Sequence, residues 1–173
     1  YKSIYTASWY GSAFISRPYM DLKDKRNSKR YFNKLRQIWQ DQDLLIVEGA
    51  LSRSGTGNDL FDNAKSVKRI ICPSKNAFSK VDVIQQEILK NASGKLILLM
   101  LGPTAKVLVK NLSDLGYQAI DIGHIDSEYE WFKMGATHKV KIPNKHTAEL
   151  DDGEVSVVED KKYQSEILAV IDD

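Results

Sequence analysis

The densest concentration of chemistry in this sequence is the segment Asp121-Ile-Gly-His-Ile-Asp-Ser-Glu-Tyr-Glu-Trp131, where Asp121, His124, Asp126, Glu128 and Glu130 fall within ten residues. Asp126 and Glu128 alternate. In an extended chain leaving a strand, their carboxylates point the same way and can bridge a Mg²⁺ or Mn²⁺ ion to a diphosphate. Hard oxygen ligands suit those ions, whereas zinc calls for more His or Cys. The competing reading is a chance pair of solvated acids. Glu130 and His124, and Glu48 at another strand end, are candidates for a general base.

Two further segments suit an anion. Glu48-Gly-Ala-Leu-Ser-Arg-Ser-Gly-Thr-Gly-Asn-Asp59 is a glycine-rich loop after an apolar run. Its backbone N–H groups can approach a phosphate closely, and Arg53 can pair with one bidentately. The spacing is neither the dinucleotide fingerprint nor a Walker A loop. The alternative is a structural turn with Asp59 capping a following helix. Gly102-Pro103-Thr104-Ala105 ends another apolar run and opens a helix, so a positive dipole end faces whatever binds there. Such turns also occur with no ligand in most α/β proteins.

These segments are held by alternating strands and helices. Leu44 to Val47, Val67 to Cys72, Lys95 to Leu101 and Gln118 to Ile122 read as strands. Ser28 to Trp39, Val81 to Leu89, Thr104 to Leu115 and Lys161 to Ile171 read as helices. The third carries Pro103 at its start and Gly116 just past its end. The Lys95–Leu101 run lacks polar alternation, which fits a strand buried on both faces of a parallel sheet. The expected class is therefore α/β, Rossmann-like, a mostly parallel sheet with helices on both faces. Ligands in such folds bind beyond the carboxyl ends of the strands. Those ends carry Glu48-Gly49, Cys72-Pro73, Leu101 to Thr104 and Asp121 to His124, the same segments picked out by their chemistry. After His124 the pattern reads as irregular until the last helix, with an acidic turn from Glu149 to Glu154.

Composition sets the outer limits. The 173 residues suit one domain, 1–173, and 42% hydrophobic with 28% charged residues excludes a disordered chain. No apolar run approaches the ~20 residues of a membrane span. The lone Cys72 sits in an apolar run as a buried, inert thiol, and the absence of a cysteine pair suits a reducing cytoplasm. Basic residues crowd between Lys23 and Arg36 without interleaved aromatics, which reads as a solvated helix face rather than a nucleic-acid groove. His138 and His146 read as surface histidines, and Trp131-Phe132 as core packing.

Taken together, Ile46-Val-Glu-Gly-Ala-Leu-Ser-Arg-Ser-Gly-Thr-Gly-Asn-Asp-Leu60, Arg69-Ile-Ile-Cys-Pro-Ser-Lys-Asn-Ala-Phe78, Leu101-Gly-Pro-Thr-Ala105 and Asp121 to Trp131 resemble the GT-D type glycosyltransferases, a family first catalogued as a domain of unknown function. The resemblance runs from Phe14-Ile-Ser-Arg-Pro18 to Lys145-His-Thr-Ala-Glu149. It implies a Rossmann-like fold, a UDP-hexose donor and a Mn²⁺ or Mg²⁺ ion held by an Asp-x-Glu motif, matched here by Asp126-Ser127-Glu128. It places donor contacts at Ser52, Arg53, Gly55, Gly57, Asn58, Asp59, Asn76, Gly102, Pro103, Thr104 and Asp121. The implied acceptor is a glycan or a serine-rich-repeat glycoprotein, with no nucleic acid beyond the nucleotide and no membrane span. Family members carry a preceding Arg-Phe-Gly-Asp-Gly-Glu-like stretch that does not occur here, so an N-terminal segment is expected outside this chain. A nucleotide-sugar epimerase would need a nicotinamide fingerprint, which is lacking. A rival from another class is a carbohydrate- or protein-binding module with a structural Ca²⁺ in the acidic loop.

Overall fold

The computed structural model describes residues 14–147 and 159–172, together with Ser8 and Leu150. The acidic turn expected from Glu149 to Glu154 otherwise lies outside the described residues. Five strands form one sheet: β1 (Asp43–Gly49), β2 (Ser66–Cys72), β3 (Leu96–Met100), β4 (Ala119–Asp121) and β5 (Ile167–Val170). Their order is β4-β3-β1-β2-β5, and every pairing is parallel. Around them lie α1 (Ser28–Arg36), α2 (Val81–Asn91), α3 (Pro103–Asp114), α4 (Ile125–Met134) and α5 (Lys161–Glu166).

The period-two alternation of β1 divides the core. Leu44 and Ile46 face a layer that includes Phe32 of α1 and Ile125, Tyr129 and Trp131 of α4. Leu45 and Val47 face the opposite layer, with Ile84 and Ile88 of α2 and Leu108 and Leu112 of α3. A strand covered on both sides has no polar face to present, which is why 44–47 and 96–100 read as unbroken apolar runs. The α/β expectation with helices on both faces holds. Among the described residues no helix is long and apolar enough to cross a membrane.

Two elements differ from expectation. The stretch after His124 is not irregular but the helix α4, buried through Ile125, Tyr129 and Trp131 and closed by Gly135 in the left-handed conformation at its C-cap. Its apolar residues at 125, 129 and 132 have helical spacing, masked in sequence by the carboxylates between them. The C-terminal helix stops at Glu166, and Ile167–Val170 form a strand that pairs with β2. Edge pairing decides here: the β2 edge would otherwise be left with unpaired backbone groups, and β-branched or aliphatic Ile167, Ala169 and Val170 can fill that register.

Between β1 and β2 the chain crosses without a helix, through a loop of successive turns. Thr56 N–H donates to Arg53 O (3.1 Å) and Asn58 N–H to Gly55 O (3.4 Å), with Gly55 at φ 79° and Gly57 at φ 77°. Asp59 caps no helix; it accepts from the Tyr129 hydroxyl (3.1 Å) and Lys133 (3.1 Å) of α4.

Candidate active site

The chain runs from β1 to β2 on one side and returns through α2 to β3 on the other, so the direction of winding reverses between β1 and β3. Neighbouring loops diverge at such a point and leave a crevice beyond the strand ends. A cavity of about 480 Å³ lies there, bounded by Gly49 at the end of β1 and Ser52 beyond it, and by Leu101 to Thr104 after β3. Gly102 takes φ 51° and ψ −137°, a region that an L side chain resists, and Pro103 opens α3 directly behind it. The positive end of α3 is thereby presented to the cavity. Asn76, itself left-handed at φ 48°, stands on another wall. His124, Asp126, Ser127 and His146 also line it, and among the described residues Asp126 is the only carboxylate that does.

A second cavity, about 560 Å³, lies on the other side of the glycine-rich loop. Gly55, Gly57, Asn58 and Asp59 line it, as do Glu130 and Lys133 of α4 and Tyr163 and Glu166 of α5. The residues expected around one donor therefore divide: Ser52, Asn76, Gly102, Pro103 and Thr104 at the first cavity, and Gly55, Gly57, Asn58 and Asp59 at the second. Asp121 lines neither; its Oδ1 accepts the Gly123 N–H (3.0 Å) and its Oδ2 lies 3.4 Å from Lys106 Nζ.

The wall between the two cavities is a polar cluster on α4. Asp126 and Glu130 are one helical turn apart and face the same way. Asp126 Oδ1 accepts the Gly55 N–H (2.8 Å) and Asn58 Nδ2 (2.9 Å), and that same Nδ2 donates to Glu130 Oε1 (2.7 Å). The buried Lys145 ammonium bridges them, 2.8 Å from Asp126 Oδ2 and 2.8 Å from Glu130 Oε1. Lys145 belongs to a segment tied down a second time by the His146 N–H, which donates to Leu51 O (2.9 Å).

Glu128 departs from the sequence expectation. Two residues along a helix rotate the side chain by about 200°, so Glu128 points away from Asp126. It is 0% exposed, and its Oε2 accepts the backbone N–H groups of Tyr19 (2.9 Å) and Met20 (2.7 Å). Burial raises its carboxyl above the ordinary range, only partly offset by those two N–H groups. The same-side geometry expected of an extended chain is thus replaced by opposite faces of α4. Asp126 and Glu128 as placed do not fit a shared Mn²⁺ or Mg²⁺ ion: one has three nitrogen donors on its oxygens, and the other is sealed in the interior. Among the described residues no group of three or more His, Cys, Asp or Glu side chains converges as a metal site.

Glu48 sits at the end of β1 as expected, but inside the protein. Its Oε1 is 2.7 Å from Arg69 Nη1, and its Oε2 accepts the Ser54 N–H (2.8 Å). Arg69 Nε bonds Glu166 Oε2 (2.7 Å), and the Tyr163 hydroxyl donates to Glu48 Oε1 (3.2 Å). A carboxylate held this way anchors the glycine-rich loop and cannot reach an acceptor hydroxyl. Arg53, expected on a phosphate, is 3% exposed with its guanidinium 5.2 Å from the centre of the Tyr163 ring. It lines neither cavity. Cys72 is buried, and desolvation with the Glu48 charge nearby pushes its thiol up to about 12, so it stays protonated. Sequence reasoning missed Lys145 as a site residue; His146 is exposed, as the sequence suggested, and it also lines the first cavity. Nothing local marks them, because their partners on α4 and in the loop are distant in sequence.

Comparison with known proteins places this geometry. The family model described as the glycosyltransferase GT-D fold matches residues 1–150. The chain belongs to the GT-D-fold glycosyltransferases. A protein of Streptococcus gordonii named "Probable glycosyl transferase Gly" is 62% identical over 170 residues, covering 98% of this chain and 25% of that protein. "Glycosyltransferase GlyD" of Streptococcus pneumoniae is 60% identical over 172 residues, covering 99% of this chain and 21% of that protein. This GT-D chain therefore spans about a quarter or less of the length of these curated relatives. A solved structure described as a new glycosyltransferase from Streptococcus sanguinis superposes with a TM-score of 0.95 at 62% identity, over 99% of this chain and 64% of that one. A second, described as a highly conserved domain with a distinct glycosyltransferase fold, gives a TM-score of 0.92 at 60% identity, over 95% of this chain and 60% of that one.

Proposed function

We propose that this chain provides the donor-binding part of a glycosyltransferase that moves a hexose, glucose or galactose, from a UDP-sugar to a glycan or serine-rich-repeat glycoprotein acceptor. The observation that carries the reading is the crevice between the ends of β1 and β3, where the N-terminal end of α3 faces a cavity lined, among the described residues, by a single carboxylate. A diphosphate leaving group needs its charge balanced in the transition state, and a helix dipole with two nearby imidazoles suits that need. His124 and His146 supply the imidazoles.

In a direct displacement the acceptor oxygen bonds to the anomeric carbon as the bond from that carbon to the phosphate oxygen breaks. UDP leaves with the electron pair, and the hydroxyl proton passes to a base. Glu130 is our choice for that base. Its Oε1 is held by Asn58 and Lys145, and among the described residues no hydrogen bond is made to its Oε2, on a side chain that lines the second cavity. A divalent ion used in the reaction would have to arrive on the donor's phosphates, because the Asp126 oxygens already carry three nitrogen donors and Glu128 is sealed in the interior. A cytoplasmic location suits a nucleotide-sugar donor and belongs to the same reading.

The test is hydrolysis of UDP-glucose and UDP-galactose, each measured with Mn²⁺, with Mg²⁺ and with chelator. Release of UDP from one of them supports the reading. Failure to bind or hydrolyse either overturns it, and equal rates in chelator remove the metal from it.

A further inference from the structure

The rim of the first cavity changes in character along the sheet. Its strand ends come in the order β4, β3, β1, β2. His124 follows β4, Gly102 leads into α3 after β3, and Pro73, Ala77 and Phe78 follow β2. Among the described residues that line this cavity, Phe78 is the only Phe, Tyr or Trp, and it is 57% exposed. A single exposed phenylalanine is ordinary on a protein surface. This one is held in place. Pro73 stops β2, and Asn76 takes the left-handed region at φ 48°. The Asn76 carbonyl accepts both the Ser79 N–H (3.0 Å) and the Ser79 hydroxyl (2.9 Å), closing the 3₁₀ turn Ala77–Lys80. Ala77 is buried in the layer under α2 and α3, which leaves the next side chain, Phe78, standing out at the rim. Among the described residues no other ring stacks on it and no cation lies over it.

We propose that Phe78 is the platform on which the nucleobase of the donor stacks, so that the nucleotide lies across the strand ends with its base beyond β2 and its diphosphate at α3. The proposal rests on the transferase reading and deepens it by giving the donor a direction. A flat base offers a π-face to an aromatic ring whatever its edge carries, and an anion has no use for such a ring. The ends of β3 and β2 flank β1 and lie two strand spacings apart, roughly 10 Å. A ribose bridges such a gap between its phosphate and its base. The hexose end then falls on the β4 side, where His124 and Asp126 supply the polar groups that a sugar and its breaking bond need.

The probes are UDP and UDP-glucose, titrated by calorimetry into the whole chain and into Phe78→Ala and Phe78→Trp, with melting curves checking the fold. Saturation-transfer NMR on UDP records which of its protons approach the protein. Phe78→Ala should weaken UDP about 5- to 100-fold, the range for a base stacked on an aromatic side chain, while Phe78→Trp stays within a few-fold of the parent. The uracil ring protons should receive more saturation than the anomeric proton of the ribose, and should lose that lead in Phe78→Ala. Unchanged UDP affinity in Phe78→Ala, or equal losses in both variants, would overturn the platform. A loss confined to UDP-glucose would overturn it too, by giving the ring to the hexose. Failure of the parent to bind UDP at all would sink the transferase reading itself, so the two failures are told apart.

Discussion

Asp126 and Glu128, separated by one residue, leave α4 on opposite sides: one lines the cavity beyond the ends of β1 and β3, and the other grips the backbone of Tyr19 and Met20. Glu128 is therefore an anchor for the 17–22 segment. Glu128→Ala strands two buried N–H groups and should cost about 1–3 kcal/mol for each. Glu128→Gln keeps an acceptor for them and should lose far less. Urea denaturation of both variants checks the order.

The same residue sets a pH dependence. Its folded carboxyl titrates above the ordinary glutamate value because burial disfavours the charge. The folded state then holds this proton more tightly than the unfolded chain. The contribution to stability is complete below the unfolded value, about 4.3, and is lost as pH rises through the folded one. Glu128→Gln should flatten that decline in melting temperature. An unchanged profile in the variant would assign the decline to other groups.

Lys145 is a buried cation serving two carboxylates at 2.8 Å each. Lys145→Met leaves both without it and should destabilise by about 3–5 kcal/mol. Adding Glu130→Gln should return part of that loss, because one uncompensated charge disappears. A double-mutant cycle by chemical denaturation measures the coupling, and strict additivity would argue against the bridge.

Glu130→Gln separates chemistry from binding. As the base, Glu130 should contribute about 10²–10⁴-fold to turnover while UDP affinity stays within a few-fold of the parent. Steady-state transfer rates and calorimetry with UDP decide it. Full turnover in the variant would pass the role to His124, since Glu48 is closed off by Arg69 and Ser54.

Arg69 lies between Glu48 and Glu166, all three largely buried. Arg69→Met should cost about 3–5 kcal/mol by leaving Glu48 as an unpaired interior charge. Arg53→Ala should lower the melting temperature through lost packing on Tyr163, with little effect on UDP affinity. A large loss of UDP binding in Arg53→Ala would return that guanidinium to the donor site.

Local sequence determined the elements whose signals are local. The apolar run at 44–47 specified a strand, and the one at 95–101 a strand covered on both faces of a parallel sheet, because no polar alternation interrupts it. Pro103 and Gly116 bracketed α3, and Gly102-Pro103 marked the turn between β3 and that helix. The glycines at 55 and 57 marked a loop with left-handed backbone. What sequence left open were the directions of side chains and the meetings of distant segments. Whether Asp126, Glu128 and Glu130 share a face depends on whether 125–134 is extended or helical. That choice is made by Ile125, Tyr129 and Trp131 packing under the sheet with Phe32. The strand at 167–170 exists because β2 offers an open edge, a property of the assembled sheet that a short aliphatic run cannot announce. Lys145 becomes part of the site only when the segment carrying it folds back over the loop and α4. An isolated lysine reads as solvated, and only burial between two carboxylates makes it a fixed charge at the centre of the wall.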